Sequence, residues 1–469
     1  MRVLFATAEL VPLAKVGGLA EASAGLVRGL RDLGVDVDVV MPDYGDVVAG
    51  PGITTITPPS RIDAPAWCGE VTIRRIDLAG FGPVTLVDAA GLRRPHPYVD
   101  PASGWGWPDN DHRFLAFSAV VALLVAADPP DVVHLNDWHT AGTLAWLPAD
   151  LATVLTVHNL SHQGQCDRRW LDLMGPRGAA FDAGDHVNLL AGAIRSADRV
   201  VAVSRRYAEE IRESAHGCGL DELLRSRGGD LVGIRNGIDT DRWNPATDPH
   251  LLANYDDTDL VGKELCAKEL QRFARFEQGR GTRIPVVGLV ARFVDQKGVD
   301  LALALAPYLA QLPAQLVLLG AGEPQLTAMA EQAELEYPDN IWFARGYDDA
   351  LAHQVIAGSD LLLVPSRFEP CGLTQMEALT YGAIPVVTDV GGLHDTVIDA
   401  DLDARSGTGF VAAQPTTIDV LDALHRAVRG WSNKRRRLGV QTRGMRGDWS
   451  WRIPAADYRE LYRDVSGCG

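Results

Sequence analysis

The chain has 469 residues, of which 46% are hydrophobic and 22% are charged, as in ordinary folded proteins, so wholesale disorder is excluded. Single hydrophobic cores stop growing near roughly 250–300 residues, so this length predicts two large domains. With 44 basic and 61 acidic residues the net charge is −17, which excludes nucleic-acid binding through the overall electrostatic field.

The first 45 residues predict a β–loop–α–β unit. Residues 3–6 form a short apolar run typical of a buried strand, and we expect no signal peptide before them. A glycine-bearing loop follows at residues 15–19. Leucines and alanines then recur at helical spacing up to Leu33, and Gly34 is a plausible helix end. Valines at residues 35–40 predict the next strand, which such a crossover would place parallel to the first.

The same alternation continues along the chain. Further strands are predicted at residues 131–135, 154–157 and 200–203. Turn signals cluster at residues 236–249, and a charged helical stretch follows. A second series of strands is then predicted at residues 286–290, 316–319, 341–343, 361–364 and 385–387. We therefore expect two α/β domains joined near residues 240–250, with ligands at the carboxyl ends of the strands.

Cysteine usage and apolar runs predict the compartment. None of the six cysteines forms a Cys-x-x-Cys pair, which argues against a zinc ribbon, a thioredoxin-like site or a disulfide framework and fits a reducing compartment. The longest apolar run, residues 114–127, is shorter than the about 20 residues that a membrane span needs. We expect a buried helix there, no membrane partner and a cytoplasmic protein.

The loop from Lys15 to Leu19 is the first candidate site. Its glycines allow close backbone approach, and free N–H groups at the start of the following helix would attract an anion. Lys15 adds a point charge suited to a phosphate. The loop matches neither G-x-G-x-x-G nor a Walker motif, and a tight turn without a ligand is the alternative.

Polar and aromatic residues follow the next two strands. Asp137, Trp138 and His139 come after the first, and His158 with Asn159 after the second, followed by residues 162–164. Planar polar groups beside an aromatic face suit sugar hydroxyls. The histidine spacings match no zinc signature, so no metal is expected. A hydrogen-bonded core role for each histidine remains the alternative.

Two further candidates lie in the second half. Arg292 and Lys297 are predicted to lie just past a strand end, where they would clamp a diphosphate; two exposed basic residues are the alternative. Residues 365–377 contain Glu369 and Glu377. A helix starting near Gly372 would offer amides to a phosphate oxygen, and a carboxylate would bind a sugar or balance positive charge. A capped helix with one buried acid is the alternative.

Together these motifs resemble the starch and glycogen synthase family of retaining glycosyltransferases. The match rests on residues 15–19, 134–139, 156–160 and 365–375, with weaker matches at 236–245, 292–298, 391–397 and 449–462. It implies the GT-B fold, two Rossmann-like domains facing each other across a deep cleft. The implied domains are residues 1–240, which supply the acceptor side, and 241–448, which bind the nucleotide sugar. A C-terminal helix at about 449–469 would cross back to the first domain.

The resemblance also assigns roles. It implies transfer of glucose from ADP-glucose to the non-reducing 4-hydroxyl of an α-1,4-glucan, with retention and without a metal or other cofactor. The implied catalytic residues are Glu369, His158, Asp137, Arg292 and Lys297. The implied substrate-binding residues are Lys15, Gly17, Gly18, Asn159, Tyr347, Cys371, Gly372, Leu373, Thr374 and Glu377. Among these, Tyr347 would stack the adenine and Glu377 would bind the ribose.

The resemblance has gaps, and other functions stay open. Residues 20–23 depart from the family pattern, and residues 50–110, which supply acceptor surface in similar enzymes, match poorly. One alternative is an enzyme of the same fold that uses UDP-glucose, another donor or another acceptor. A non-catalytic two-lobed sugar-binding protein would not need Arg292 and Lys297. A phosphorylase would need a pyridoxal phosphate lysine site, which nothing here resembles. The sequence does not predict the oligomeric state.

Overall fold

The computed structural model describes residues 1–45, 52–276 and 283–467, so Cys468 and the end of the predicted C-terminal segment lie outside the described residues. The chain divides into two compact units. The first unit comprises Met1–Gly237 and Trp451–Gly469, and the second unit comprises Ile238–Ser450. The sequence places these divisions at 240/241 and 448/449.

The first unit is built on a mixed sheet. The strands of this unit are β1 (Arg2–Ala6), β2 (Asp36–Pro42), β3 (Ile53–Arg61), β4 (Thr72–Leu78), β5 (Gly82–Asp88), β6 (Val132–Asn136), β7 (Ala152–Val157), β8 (Gln165–Cys166), β9 (Val187–Asn188), β10 (Arg199–Ala202) and β11 (Leu231–Gly233). Strands β8 and β9 form a separate two-stranded antiparallel sheet. The first helices of this unit are α1 (Gly18–Asp32), α2 (Asn110–Ala127), α3 (Asp137–Ala141), α4 (Leu189–Ser196), α5 (Arg205–Glu210) and α6 (Asp221–Ser226).

Strand order in this sheet defines where ligands are expected. In the described part of the chain the order is β11-β10-β7-β6-β1-β2-β5-β4-β3. The pairs from β11 to β5 are parallel, whereas β3, β4 and β5 form an antiparallel edge that the sequence analysis does not predict. The chain reverses its direction of winding between β1 and β6, and in doubly wound sheets ligands bind at such a switch point.

The second unit contains a parallel sheet of its own. Its strands are β12 (Val286–Phe293), β13 (Gln315–Gly322), β14 (Ile341–Arg345), β15 (Leu361–Val364), β16 (Ile384–Thr388) and β17 (Phe410–Ala412). Its helices are α7 (Val261–Phe273), α8 (Val299–Leu303), α9 (Pro324–Glu336), α10 (Asp349–Gly358), α11 (Thr374–Thr380), α12 (Gly391–Thr396), α13 (Thr417–Ser432) and α14 (Lys434–Met445).

The described strands of the second unit follow the order β14-β13-β12-β15-β16-β17. This is the 3-2-1-4-5-6 order of the Rossmann fold, with the switch point between β12 and β15. The five strands predicted for this half are all present, and β17 is the one additional strand among the residues that the structure describes. The predicted α/β class with two Rossmann-like domains is confirmed.

A last helix, α15 (Arg452–Ser466), belongs to the first unit although it follows the second in sequence. It packs on α1, and its buried aromatic residues join the core around β1 and β2. The Tyr462 hydroxyl bonds to His134 Nδ1 at 2.6 Å, and the Tyr458 hydroxyl bonds to Thr156 Oγ1 at 3.0 Å. Helix α15 therefore supplies hydrogen-bond partners for two buried polar side chains of the sheet, His134 and Thr156.

Helix α2 contains the apolar run of residues 114–127. By length and composition alone, it is the one helix among the described residues that could cross a membrane. Most of its side chains are buried in the first unit, including Arg113, which is fully buried. The Arg113 guanidinium donates to the carbonyls of Gly91, Leu92 and Pro97, so this charge has hydrogen-bonding partners inside the unit.

Candidate active site

The glycine loop of the first unit lies at the β1–β6 switch point and is held by a carboxylate. Glu9, three residues beyond β1 and only 3% exposed, accepts the N–H of Val16 at 2.6 Å and of Gly17 at 2.9 Å. Glu9 thus accepts the two amides that precede α1, and an anion at the N–H groups of the helix start itself stays a prediction. Tyr98 donates to the other Glu9 oxygen at 2.7 Å.

Lys15 and Gly18 lie on either side of the two residues whose amides bind Glu9. Gly17 is the residue before α1 and Gly18 is its first residue. Lys15 Nζ lies 2.7 Å from Glu21 Oε1, so Glu21 pairs with Lys15 at the start of α1. About a third of the Lys15 side chain is exposed.

Asn136, the last residue of β6, hydrogen-bonds to the ends of the two neighbouring segments, β1 and the residues after β7. Its side-chain amide donates to the Ala6 carbonyl at 2.9 Å, and its Oδ1 bonds to His158 Nε2 at 2.9 Å. Because that oxygen is an acceptor, the His158 proton lies on Nε2. Burial lowers the pKa of His158 to about 3, so the ring is neutral in this setting. The residues that follow β1, β6 and β7 are thereby fixed side by side.

Asp137 is buried beside His158. Its carboxylate accepts the His158 backbone N–H at 2.7 Å. Burial raises the pKa of Asp137 to about 7, with a smaller contribution from the Glu9 charge, and the backbone N–H groups of His158 and Asn159 oppose it. Its backbone has a φ of +54°, a left-handed conformation that is uncommon outside glycine and is seen at functional sites. Asp137 is therefore a buried carboxyl group on a residue with an uncommon backbone conformation.

A cavity of about 490 Å³ lies within the first unit next to these residues. It is lined by Asn110, Asp111, Trp138, Ser161, His162, Gln163, Gly164, Gln165 and Cys218. The motif at residues 162–164 therefore borders a space with one aromatic face and several amide groups. Asn159 lies just before it and accepts the Ser161 hydroxyl at 2.7 Å.

In the second unit, Lys297 and Glu369 form one ion pair at the β12–β15 switch point. Lys297 Nζ lies 2.8 Å and 2.6 Å from the two oxygens of Glu369, which is 5% exposed. Ser366 donates to the same carboxylate at 2.9 Å. From the sequence, Lys297 is expected to bind the diphosphate and Glu369 the sugar, whereas in the structure the two side chains are in direct contact.

Arg292 differs from its predicted place. It lies inside β12, which runs to Phe293, rather than in the loop beyond the strand, because β12 pairs with β13 over its full length. Its side chain is exposed, and its guanidinium bonds to no other described residue. Arg292 and Lys297 thus differ: one cation is open to solvent and the other is bound to a carboxylate.

The loop after Glu369 is folded back on itself. Gln375 donates from Nε2 to the carbonyls of Cys371 at 3.1 Å and Gly372 at 2.8 Å. Gly372 has a φ of +71°, which favours glycine. The helix begins two residues later than predicted: Leu373 precedes α11, and Thr374 is its first residue. Cys371 is buried.

Tyr347 and Glu377 complete the predicted set in this unit. Tyr347 follows β14, is 59% exposed, and donates from its hydroxyl to Asp349 at 3.0 Å. Burial of the hydroxyl, followed by the charges of Asp349 and Glu377, raises the pKa of Tyr347. Glu377 lies in α11 and is buried.

The sequence does not predict the contacts of Glu9, Tyr98 and Asp349 at the site. The only available signal for Glu9 is its place just beyond a strand at the switch edge, since a single glutamate in a loop forms no motif. Within the described ranges, no group of three His, Cys, Asp or Glu side chains is arranged to hold a metal ion.

Comparison with known proteins identifies the family. The family model for the starch synthase catalytic domain matches residues 2–226, and that for group 1 glycosyl transferases matches residues 271–445. A glycogen synthase of Halorhodospira halophila is 42% identical over 484 residues, covering 99% of each chain. The chain belongs to the starch and glycogen synthase family. It is therefore a glycosyltransferase of the glycogen and starch synthase type.

Further members agree in sequence and in fold. A glycogen synthase of Thioalkalivibrio sulfidiphilus is 40% identical over 490 residues, covering 99% of this chain and all of that one. The catalytic domain of starch synthase IV from Arabidopsis thaliana, solved with ADP and acarbose, has a TM-score of 0.89 and 32% identity, with 99% of each chain covered. A sucrose-phosphate synthase of Thermosynechococcus elongatus, at a TM-score of 0.62 and 19% identity, shares the fold.

Proposed function

We propose that this family member transfers glucose from ADP-glucose to the non-reducing 4-hydroxyl of an α-1,4-glucan, with retention and without a metal. The observation that carries the proposal is the Lys297–Glu369 pair at the β12–β15 switch point. ADP is bound in the similar starch synthase IV structure, which supports an adenine nucleotide. The relatives named glycogen synthase support a glucan acceptor.

The second unit would bind the nucleotide sugar. An ammonium has three N–H donors, and Glu369 engages Lys297 with two oxygens, which leaves a third donor for a phosphate oxygen. Arg292, exposed at the end of β12, would supply a second cation as a planar fork. Glu369 retains lone pairs for glucose hydroxyls, and the folded loop at Cys371 and Gly372 would border the sugar. Tyr347 and Glu377 would contact the base and the ribose.

The first unit would supply the groups nearest the reacting carbon. Neutral His158, fixed by Asn136, would hydrogen-bond to the transferred glucose. Asp137 would lie beside the reacting centre, with Asn159 next to it. Lys15 would reach a donor phosphate, whereas Gly17, whose amide is bound by Glu9, would act by shaping the loop.

The chemistry requires no protein nucleophile. The bond between the glucose C1 and the diphosphate oxygen breaks, and a bond from C1 to the incoming 4-hydroxyl oxygen forms on the same face. The departing diphosphate takes the proton of that hydroxyl. Lys297 and Arg292 would stabilise the charge that develops on the diphosphate, as preorganised donors do in other enzymes.

Radiolabel transfer tests the proposal. The purified chain is incubated with labelled ADP-glucose or UDP-glucose, with and without glycogen and with a chelator present or absent. We expect ADP release and polymer label that depend on glycogen and persist with the chelator. A preference for UDP-glucose would show that the donor is UDP-glucose and not ADP-glucose. Glycogen that stays unlabelled with every donor would overturn the polymer synthase assignment.

A further inference from the structure

The hydroxyl of Tyr347 shares its acceptor with an arginine. Asp349, the first residue of α10, accepts the Tyr347 hydroxyl at 3.0 Å on Oδ1, and Arg242 pairs with the same oxygen through Nη2. Arg242 is 32% exposed at its side chain and Asp349 is 46% exposed. The exposed tyrosine ring is thus attached, through one carboxylate oxygen, to a guanidinium more than a hundred residues earlier in the chain.

Arg242 extends from a rigid anchor. Its neighbour Trp243 is 4% exposed, and the Trp243 ring lies on the His353 ring with centroids 3.9 Å apart and planes 3° apart. The guanidinium of Arg242 lies 5.5 Å from the centre of the Trp243 ring, and the Arg242 backbone N–H donates to Asp239. Arg242 is therefore restrained both at its backbone N–H and at its guanidinium.

A buried network fastens this anchor to the helices that bear the candidate site. Asp248 accepts from His353 Nδ1 at 2.7 Å and from the Tyr381 hydroxyl at 2.6 Å, and all three side chains are buried. His353 lies in α10, the helix that begins at Asp349, and Tyr381 follows α11. The segment 239–248 and the two helices therefore form one body within the second unit.

We propose that Arg242 is a positioning residue for the nucleotide: through Asp349 it fixes the Tyr347 ring in the orientation on which the base stacks. The inference rests on the proposed function, since it needs a nucleotide on Tyr347. An exposed tyrosine held at its hydroxyl loses less rotational freedom when a base stacks on it, so pre-organisation strengthens binding. Neither Arg242 nor Asp349 contacts the base itself in this scheme.

The proposal predicts a specific kinetic signature. Stacking of the base is the same before and during glucose transfer, so loss of the pre-organisation weakens ground state and transition state equally. Such uniform binding raises KM and leaves kcat unchanged. We expect Arg242→Ala to weaken ADP binding and raise the KM for ADP-glucose by about threefold to tenfold, the range for one immobilised side chain.

The test is a double-mutant cycle in the full chain. ADP binding is measured by calorimetry for the wild type, Arg242→Ala, Tyr347→Phe and the double variant, with KM and kcat for ADP-glucose alongside. Phenylalanine keeps the ring but removes the hydroxyl link, so Arg242→Ala should have no further effect in that background. Arg446→Ala, which removes an exposed ion pair with Asp257 elsewhere in the unit, is the control and should bind ADP like the wild type.

The outcomes distinguish a failure of the positioning role of Arg242 from a failure of the proposed function. Additive losses in the double variant, or wild-type ADP affinity in Arg242→Ala, overturn the positioning role. If Arg242→Ala does not fold, Asp349→Ala, which removes the shared acceptor, replaces it, and the same cycle with Tyr347→Phe applies. A wild type that binds ADP but labels no glucan overturns the proposed function and leaves the positioning role to be judged by binding alone. A wild type that does not bind ADP overturns both.

Discussion

The ion pair of Lys297 and Glu369 illustrates how one contact serves two purposes. The ammonium lies 2.6 Å from one oxygen of a carboxylate that is almost fully buried, and it orients that carboxylate. The same ammonium faces the switch point where a diphosphate is proposed to bind. Loss of either partner would therefore remove a proposed ligand contact and leave the other group without its ion-pair partner.

Replacing Lys297 tests this pair. We expect Lys297→Ala to lower kcat by roughly 10²–10³-fold, which is about 3–4 kcal/mol, by analogy with the loss of one preorganised donor. Circular dichroism should show a folded protein. Lys268→Ala, an exposed lysine of α7, is the matched control and should keep full turnover. Unchanged turnover in folded Lys297→Ala would remove this residue from the phosphate site.

Asp137 predicts a pH-dependent stability. Burial raises its pKa to about 7, whereas an aspartate in the unfolded chain titrates near about 3.9. Between these values the folded state binds more protons, so the contribution of Asp137 to stability is full below about pH 4 and is lost as pH rises to 7. Asp137→Asn keeps an oxygen for the His158 N–H but has no charge.

Urea unfolding at several pH values measures this contribution. Relative to the wild type, Asp137→Asn should gain stability as pH rises from 4 to 7, by up to a few kcal/mol at about 1.4 kcal/mol per pKa unit. Above pH 7.5 the difference should stay constant. A difference between the two proteins that does not change with pH would contradict a raised pKa at Asp137.

At the scale of elements, the contact between α1 and α15 depends on small residues. A Cβ added at Gly25 of α1 would overlap the indole of Trp451, and one added at Gly29 would lie 2.8 Å from the Ala455 side chain. Glycine is a poor helix former, by roughly 1 kcal/mol relative to alanine. The two helices therefore pack closely at the expense of the intrinsic stability of α1.

Substitution of two helical glycines separates packing from propensity. Gly25→Ala should lower the free energy of unfolding by about 1–3 kcal/mol, because overpacking against Trp451 outweighs the gain in helix propensity. Gly439→Ala in α14 has only the flexible end of Arg443 within 3.2 Å and should raise stability by up to about 1 kcal/mol. Thermal unfolding measures both, and equal shifts of the same sign would refute close packing at Gly25.

At the scale of the whole molecule, periodicity and motif order predict much of the architecture. The strands that contain Val132, Val286 and Leu361 are apolar runs and can be predicted from the sequence. The candidate site residues follow these strands, because the topology of a parallel sheet places ligands at the carboxyl ends of its strands. Single residues without a repeating pattern are not predictable in this way. Glu9 bonds to Tyr98 and Arg242 bonds to Asp349, partners distant in sequence that only the folded chain shows.

The division of the chain predicts how its parts fold alone. The second unit is one continuous segment, Ile238–Ser450, with its own sheet and core, so a fragment of residues 238–450 should fold cooperatively. The first unit is discontinuous. A fragment of residues 1–237 lacks Trp451, Ala455, Tyr458, Leu461 and Tyr462 of its core, and it lacks the hydroxyl partners of His134 and Thr156.

We expect the fragment of residues 1–237 to lose its cooperative unfolding transition, because buried polar groups and an apolar face of the sheet are left without partners. Joining residues 451–469 to its end through a flexible linker should restore the transition. Calorimetry of the three fragments provides the measurement. A cooperative transition in residues 1–237 alone would mean that α15 covers a core that is already stable, and the chain's return to its first unit would then need a reason other than stability.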